Sequence, residues 1–156
     1  MTLDALREEI AIEIQAIEMT LAELMALGRD VADRLPTVRE KTAAAAFLAQ
    51  FYNGVENILK RICNYHSLSL PTGDTWHVEL FRRFTSPGYP PLPMLFDGPL
   101  AADLAPYRRF RHVVFHSYGF QLDWSRMTEG ASNVEGVFLR LKIRLDDYLR
   151  SLPTDT

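Results

Sequence analysis

The chain reads as an all-α protein: an up-and-down bundle of four main helices plus a short one. Three features predict this. Apolar residues recur at spacings of three and four over long segments, the period of a helix face. No segment keeps the strict alternation of a half-buried strand. Most prolines and glycines fall between the periodic segments, where they punctuate rather than interrupt. With 156 residues, 47% of them hydrophobic and 24% charged, the chain has the apolar mass for a packed core and a globular composition. One helical domain over residues 1–152, with a tail at 153–156, is the expected organisation.

The first helix is carried by Leu3, Leu6, Ile10, Ile14, Ile17, Leu21 and Leu24, a single apolar stripe. Gly28 is its expected C-cap, and Leu35-Pro36 marks the break that follows. Thr37 is placed to cap a second helix running to about Asn64, with Phe47, Phe51, Val55, Ile58 and Ile62 as its stripe. Alanines at 43–46 allow a neighbouring helix to come close. After the turn HSLSLPTGD, Thr72 or Asp74 is the expected cap of a short third helix in TWHVELFRRFT. Residues 86–99 hold five of the nine prolines and read as a loop, either functional or packed over the end of the bundle. A fourth helix is expected from about Leu100 to Phe120, with Pro106 confined to its opening turns or marking its start. Asp123 and Trp124 then read as structural residues ending that helix. A last helix is expected from about Asn133 to Leu152, on Val134, Val137, Leu141, Leu145 and Tyr148 or Leu149.

Charge and cysteine content narrow the function classes. No run of about 18 uncharged apolar residues exists, so a membrane span is not expected. The opening MTLDALREEI is acidic and periodic, unlike a signal peptide. The lone Cys63 sits within an apolar helical pattern, where a packed thiol in a reducing cytoplasm is the simplest reading. Net charge is only −3, so the molecule as a whole is no electrostatic nucleic-acid binder. Its charges are nevertheless segregated. Residues 1–24 carry six acids against Arg7, while residues 107–126 carry Arg108, Arg109, Arg111 and Arg126 against Asp123. A basic stripe of this kind suits a confined anion site, unless the acidic helix simply covers it.

That stripe lies in YRRFRHVVFHSYGFQLDW, residues 107–124. Three readings fit it. His112 and His116, four apart on one helix face, have the spacing of a transition-metal pair, with Asp123 the nearest carboxylate. The histidines can instead pack and hydrogen-bond at a helix interface. Or the cluster is a metal-independent phosphoryl-transfer site, in which arginine supplies a forked cation and histidine moves protons near neutral pH. Helical geometry limits the third reading. At about 100° per residue, Arg111 and His116 point about 140° apart on one ideal helix. They can meet on one atom only if a second copy of the chain contributes, or if the helix loosens, as Gly119 would permit.

The segment RHVVFHSY, Arg111 to Tyr118, resembles the R-x4-H-x-Y signature of HEPN-domain toxins, in particular their HepT-like ribonuclease branch. His112 matches the polar residue that commonly follows the arginine there. FYNGVENILKRI, residues 51–62, is similar to the second-helix segment of HepT-like proteins, and TWHVELF falls where the family has its Trp-bearing third helix. The resemblance implies a homodimer whose two motifs meet in a composite cleft. It implies metal-free cleavage of cellular RNA such as tRNA or mRNA by attack of a ribose 2′-hydroxyl, leaving a cyclic phosphate. His116 would transfer protons, Arg111 would stabilise transition-state charge, and His112 would polarise or position the scissile phosphate. Arg108 and Arg109 would hold flanking phosphates, or form a solvated helix face. The implied partner is a minimal nucleotidyltransferase antitoxin, with Tyr118 as the target of AMP transfer; added nucleotides would block the cleft with bulk and negative charge. No cofactor is implied. The alternatives are a catalytically silent HEPN module that binds such a nucleotidyltransferase, and a plain helical dimerisation module.

Two polar residues interrupt the second helix's apolar run. Glu56 can reach the basic cluster or pair with Lys60 at i+4, and Asn57 is its neighbour. Trp76 and His77 read as packing and capping residues.

Overall fold

A computed structural model describes residues 1–155, so residue 156 of the expected tail lies outside the described residues. Five α-helices form the bundle: α1 (Leu3–Asp30), α2 (Val38–Tyr65), α3 (Trp76–Arg82), α4 (Gly98–Phe115) and α5 (Trp124–Ser151). A 3-10 turn, Gly119–Gln121, joins α4 to α5. No described helix is long and apolar enough to cross a membrane.

α2 is the central element and packs against all four other helices. Its start is fixed by a capping box: Thr37 accepts from the Glu40 N–H at 3.1 Å, while the Glu40 carboxylate accepts from the Thr37 N–H at 2.9 Å. α1 buries the stripe expected of it, from Leu3 to Leu24, except that Ile14 is only partly covered. The two helices cross closely at Gly54, where a Cβ would meet the Ile17 side chain at 2.5 Å. Phe51 sits at the centre of the core, edge-on to Tyr107 of α4 and Phe138 of α5 at 5.2 and 6.1 Å. The Tyr107 hydroxyl donates to the Gly130 carbonyl at 2.7 Å, tying α4 to α5, and burial pushes that phenol up to about 12.

Several boundaries differ from expectation. α1 runs through Gly28 to Asp30, because Leu24 and Val31 are still buried and hold the last turn. α3 is preceded by Thr75 rather than Thr72 or Asp74, and no side chain caps it. The Pro-rich loop is pinned to the bundle at three side chains while most of its residues stay exposed: Leu92, Leu95 and Phe96 are buried, Phe96 stacks on Phe81 at 5.0 Å, and Arg144 holds the Leu95 carbonyl at 3.0 Å. Asp97 caps α4, accepting from the Leu100 N–H at 2.8 Å. Pro106 lies well inside α4, not in its opening turns. Both Pro106 and Ala102, whose carbonyl loses its helical donor, are exposed, so water can replace the missing hydrogen bond.

α4 ends at Phe115, short of Phe120. Tyr118 adopts an extended backbone and its N–H donates to the Gln121 side chain at 2.9 Å, which turns the chain. Gly119 passes so close to Thr42 and Val38 of α2 that any side chain there would collide with them. Asp123 then begins α5 rather than ending α4, accepting from the Arg126 N–H at 3.3 Å. α5 therefore starts nine residues earlier than Asn133, and Met127 extends its buried stripe.

Candidate functional site

The motif divides into two unlike halves. Arg111 points from α4 into the seam with α2 and α3, and its side chain is 22% exposed. Its Nε donates to the Asn53 Oδ1, its Nη1 lies 3.2 Å from His77 Nε2, and Nε is 3.6 Å from Glu56 Oε1. Glu56 is itself 2% exposed and accepts from His77 Nδ1 at 2.5 Å. A buried carboxylate is costly unless paired, and here it faces both a permanent cation and an imidazole donor. Arg111 also lies over the Phe115 ring at 5.0 Å. The seam is dense: the Trp76 ring lies 3.5 Å from the His77 ring, tilted by 31°, and Lys60 covers Trp76 at 4.5 Å. Lys60 therefore serves Trp76, not Glu56. Tyr52, fully buried beside this group, has a hydroxyl with no hydrogen-bond partner among the described residues. Burial, with the Glu56 charge adding and Arg108 and Arg111 opposing, raises its phenol well above the ordinary range.

The other half faces outward. His112 and His116 are both exposed and lie one above the other, ring centres 4.4 Å apart. His116 occupies the C-cap of α4. Among the described residues no third His, Cys, Asp or Glu joins this pair to make a metal-binding group. Tyr118, 72% exposed, stacks parallel on Phe120 at 5.8 Å. Phe115, Tyr118 and Phe120, with Val113, all within four residues of His116 in the chain, leave apolar surface uncovered. Tyr118 does not share a helix face with Arg111, because α4 has ended before it.

Arg108 and Arg109 part company. Arg108 lies over Phe81 of α3 at 5.1 Å. Arg109 is exposed and lines a groove of about 1180 Å³ between α4 and α5, with Phe110, Val113, Arg126 and Arg140. Arg111, His112 and His116 do not line that groove, and acids including Asp103, Asp123 and Glu129 share it. The acidic α1 does not cover the basic stripe: Glu9 and Glu13 pair with Arg61 of α2, and Glu18 with Lys142 of α5.

Thus the chain gathers Arg111 with Glu56, sets His112 beside His116, and leaves the two groups facing different ways. Asn53 and His77 were missed as partners of Arg111. The readable signal for Asn53 was its i+3 spacing to Glu56 within an apolar run; for His77 there was none beyond its neighbour Trp76. Chemically, two of the three guanidinium nitrogens are anchored, and Nη2 makes no hydrogen bond among the described residues. A fork so held presents one amino group to an anion.

A family model described as HepT-like protein matches residues 43–152, a span that includes Asn53, Glu56, His77 and the whole Arg111–Tyr118 motif. Comparison with curated proteins and with solved structures finds no match.

Proposed function

Since the chain belongs to the HepT-like family of HEPN proteins, we propose that it is the toxin of a toxin–antitoxin pair, a cytoplasmic, metal-independent endoribonuclease acting on cellular RNA. The observation that carries this reading is the state of the motif: an arginine locked in place with one free amino group, and exposed histidines one and five residues further on, beside uncovered aromatics.

The work is divided between two chains. Val113, Phe115, Tyr118 and Phe120, within four residues of His116 in the chain, are exposed; covering them with a second copy removes apolar surface from water and brings the partner's motif to the same cleft. In that cleft His116 takes the proton of a ribose 2′-hydroxyl as its oxygen attacks phosphorus. The bond to the 5′-oxygen breaks, a protonated imidazole returns a proton to that oxygen, and the products are a 2′,3′-cyclic phosphate and a 5′-hydroxyl. Arg111 stabilises the charge on the non-bridging oxygens of the transition state, and His112 positions the scissile phosphate. Arg109, exposed on α4, holds a flanking phosphate; Arg108, lying over Phe81, adds charge beside Arg111. A minimal nucleotidyltransferase antitoxin restrains the enzyme, with the exposed Tyr118 hydroxyl as the site of AMP transfer.

The test is cleavage of cellular RNA by purified wild-type and His116→Ala protein, in EDTA, at concentrations where the protein is dimeric. Cleavage by the wild type alone supports the mechanism. Cleavage by both sinks the assigned role of His116, and cleavage by neither, with EDTA or without it, leaves the catalytically silent partner of a nucleotidyltransferase as the better reading. Activity that disappears only when EDTA is added points to the histidine pair as metal ligands.

A further inference from the structure

The Glu56–His77–Arg111 seam has a chemistry that the proposed reaction does not use directly. Glu56 Oε2 lies 2.5 Å from His77 Nδ1, and Arg111 Nη1 lies 3.2 Å from His77 Nε2. An ionised carboxylate only accepts, so Nδ1 must carry the proton. A guanidinium only donates, so Nε2 must offer its lone pair. One form of the ring, neutral and protonated on Nδ1, satisfies both contacts; an Nε2 proton would set donor against donor. The ring cannot easily turn away, since Trp76 lies against one side of it, tilted by 31°, and Lys60 holds Trp76 in turn. His77 is thus a built acceptor, oriented by a buried acid on one helix and aimed at the arginine of another.

We propose that His77 is a positioning residue for Arg111: held by Glu56, it accepts from Nη1 and, with Asn53 on Nε, fixes the guanidinium plane so that Nη2 faces the cleft. Two anchors are required for this. A guanidinium held at Nε alone still swings about its side-chain torsions, whereas contacts on two edges leave one orientation of the fork. The catalytic consequence rests on the ribonuclease reading; the geometric claim does not.

Three variants of the full chain separate the acceptor from general packing. His77→Gln reaches about as far as Nε2 and offers Arg111 a carbonyl. His77→Asn is too short, and satisfies Glu56 without reaching Arg111. His77→Phe fills the space and does neither. In 15N-labelled wild-type protein we expect His77 protonated on Nδ1 only, and slow rotation of the Arg111 Nη groups in the guanidinium spectrum. His77→Gln keeps that slow rotation, while His77→Asn and His77→Phe lose it. In the RNA assay the latter two lose kcat by about tenfold with KM unchanged, the mark of a misaimed group, and His77→Gln keeps the wild-type rate. If His77→Phe fails to fold, the Gln and Asn pair carries the same contrast. A proton on Nε2 in the wild type, or identical Arg111 spectra and rates in the Gln and Asn variants, overturns the positioning role. A wild type with the expected spectra that cleaves no RNA supports the positioning role and overturns the ribonuclease reading instead.

Discussion

Arg111 and His116 stand five residues apart in one motif and are held by opposite means. Around Arg111 the chain supplies everything: a buried acid, an amide, an imidazole and an aromatic face, drawn from α2, α3 and α4. Around His116 it supplies almost nothing beyond the tilted ring of His112, and the aromatics nearby lie open. The anchored half therefore belongs to the stability of the fold, and its geometry exists before any substrate arrives. The open half costs the fold little and is available to a partner. A catalytic arginine gains from being preorganised, because its dipoles and charge must be aimed before the transition state forms. A proton-transfer histidine needs access to substrate and a ring free to change protonation state.

The largest effect that can test this division is in activity. His116→Ala should reduce RNA cleavage by about a thousandfold, the loss of a general acid–base group. Its urea midpoint should stay at the wild-type value, as an exposed substitution usually changes stability by only about 0.5 kcal/mol or less. An equally large loss of stability would break the comparison, since it would show His116 to be structural. Glu56→Ala is the converse. Removing the acid leaves Arg111 and His77 facing each other in a partly buried seam, and breaking such a group costs about 3 kcal/mol. Urea denaturation followed by circular dichroism should show that loss. A variant as stable as the wild type would mean that the seam is solvated and does not anchor Arg111.

The same contrast explains what could be read from the chain beforehand. The stripes of α1 and α2 were legible because each helix buries one continuous face, and Thr37 with Glu40 is a local signal contained within four residues. The divergence of Arg111 and His116 was legible from helical geometry alone. The end of α4 was not, since it is set by Gly119 meeting α2 and by Gln121 reaching back to Tyr118. Nor was the start of α5. Its first turns hold Thr128, Gly130, Ser132 and Asn133, weak helix formers by propensity. Thr128 and Ser132 turn their hydroxyls onto the carbonyls four residues back, at 2.8 and 2.9 Å, and Met127 and Val134 bury the face beneath them. In the site, Glu56 had a local candidate in Lys60, yet its true partners come from 21 and 55 residues away in sequence. Only the fold brings them together.

Smaller effects sharpen each half. Phe115→Asp or Phe120→Asp should weaken self-association, measured by analytical ultracentrifugation, by at least about tenfold, given the ~1.5–3 kcal/mol that burying such a side chain yields. In Phe120→Asp stability of the folded chain should not fall in parallel, because that ring is already exposed and, unlike Phe115, does not lie under Arg111. Unchanged association would place the partner on another face. The smallest effect concerns the anchored half. Tyr52 is fully buried, and its hydroxyl has no hydrogen-bond partner among the described residues, although Glu56, Arg108 and Arg111 all act on it electrostatically. An unsatisfied buried hydroxyl is a liability, so Tyr52→Phe should raise stability by about 1 kcal/mol, seen as a higher urea midpoint at unchanged slope. A lower midpoint would reveal that the hydroxyl is paired in solution, for which a bridging water to the Glu56 seam is the simplest route. The anchored half would then extend one residue further, and Tyr52 would join Asn53 and His77 in fixing where Arg111 points.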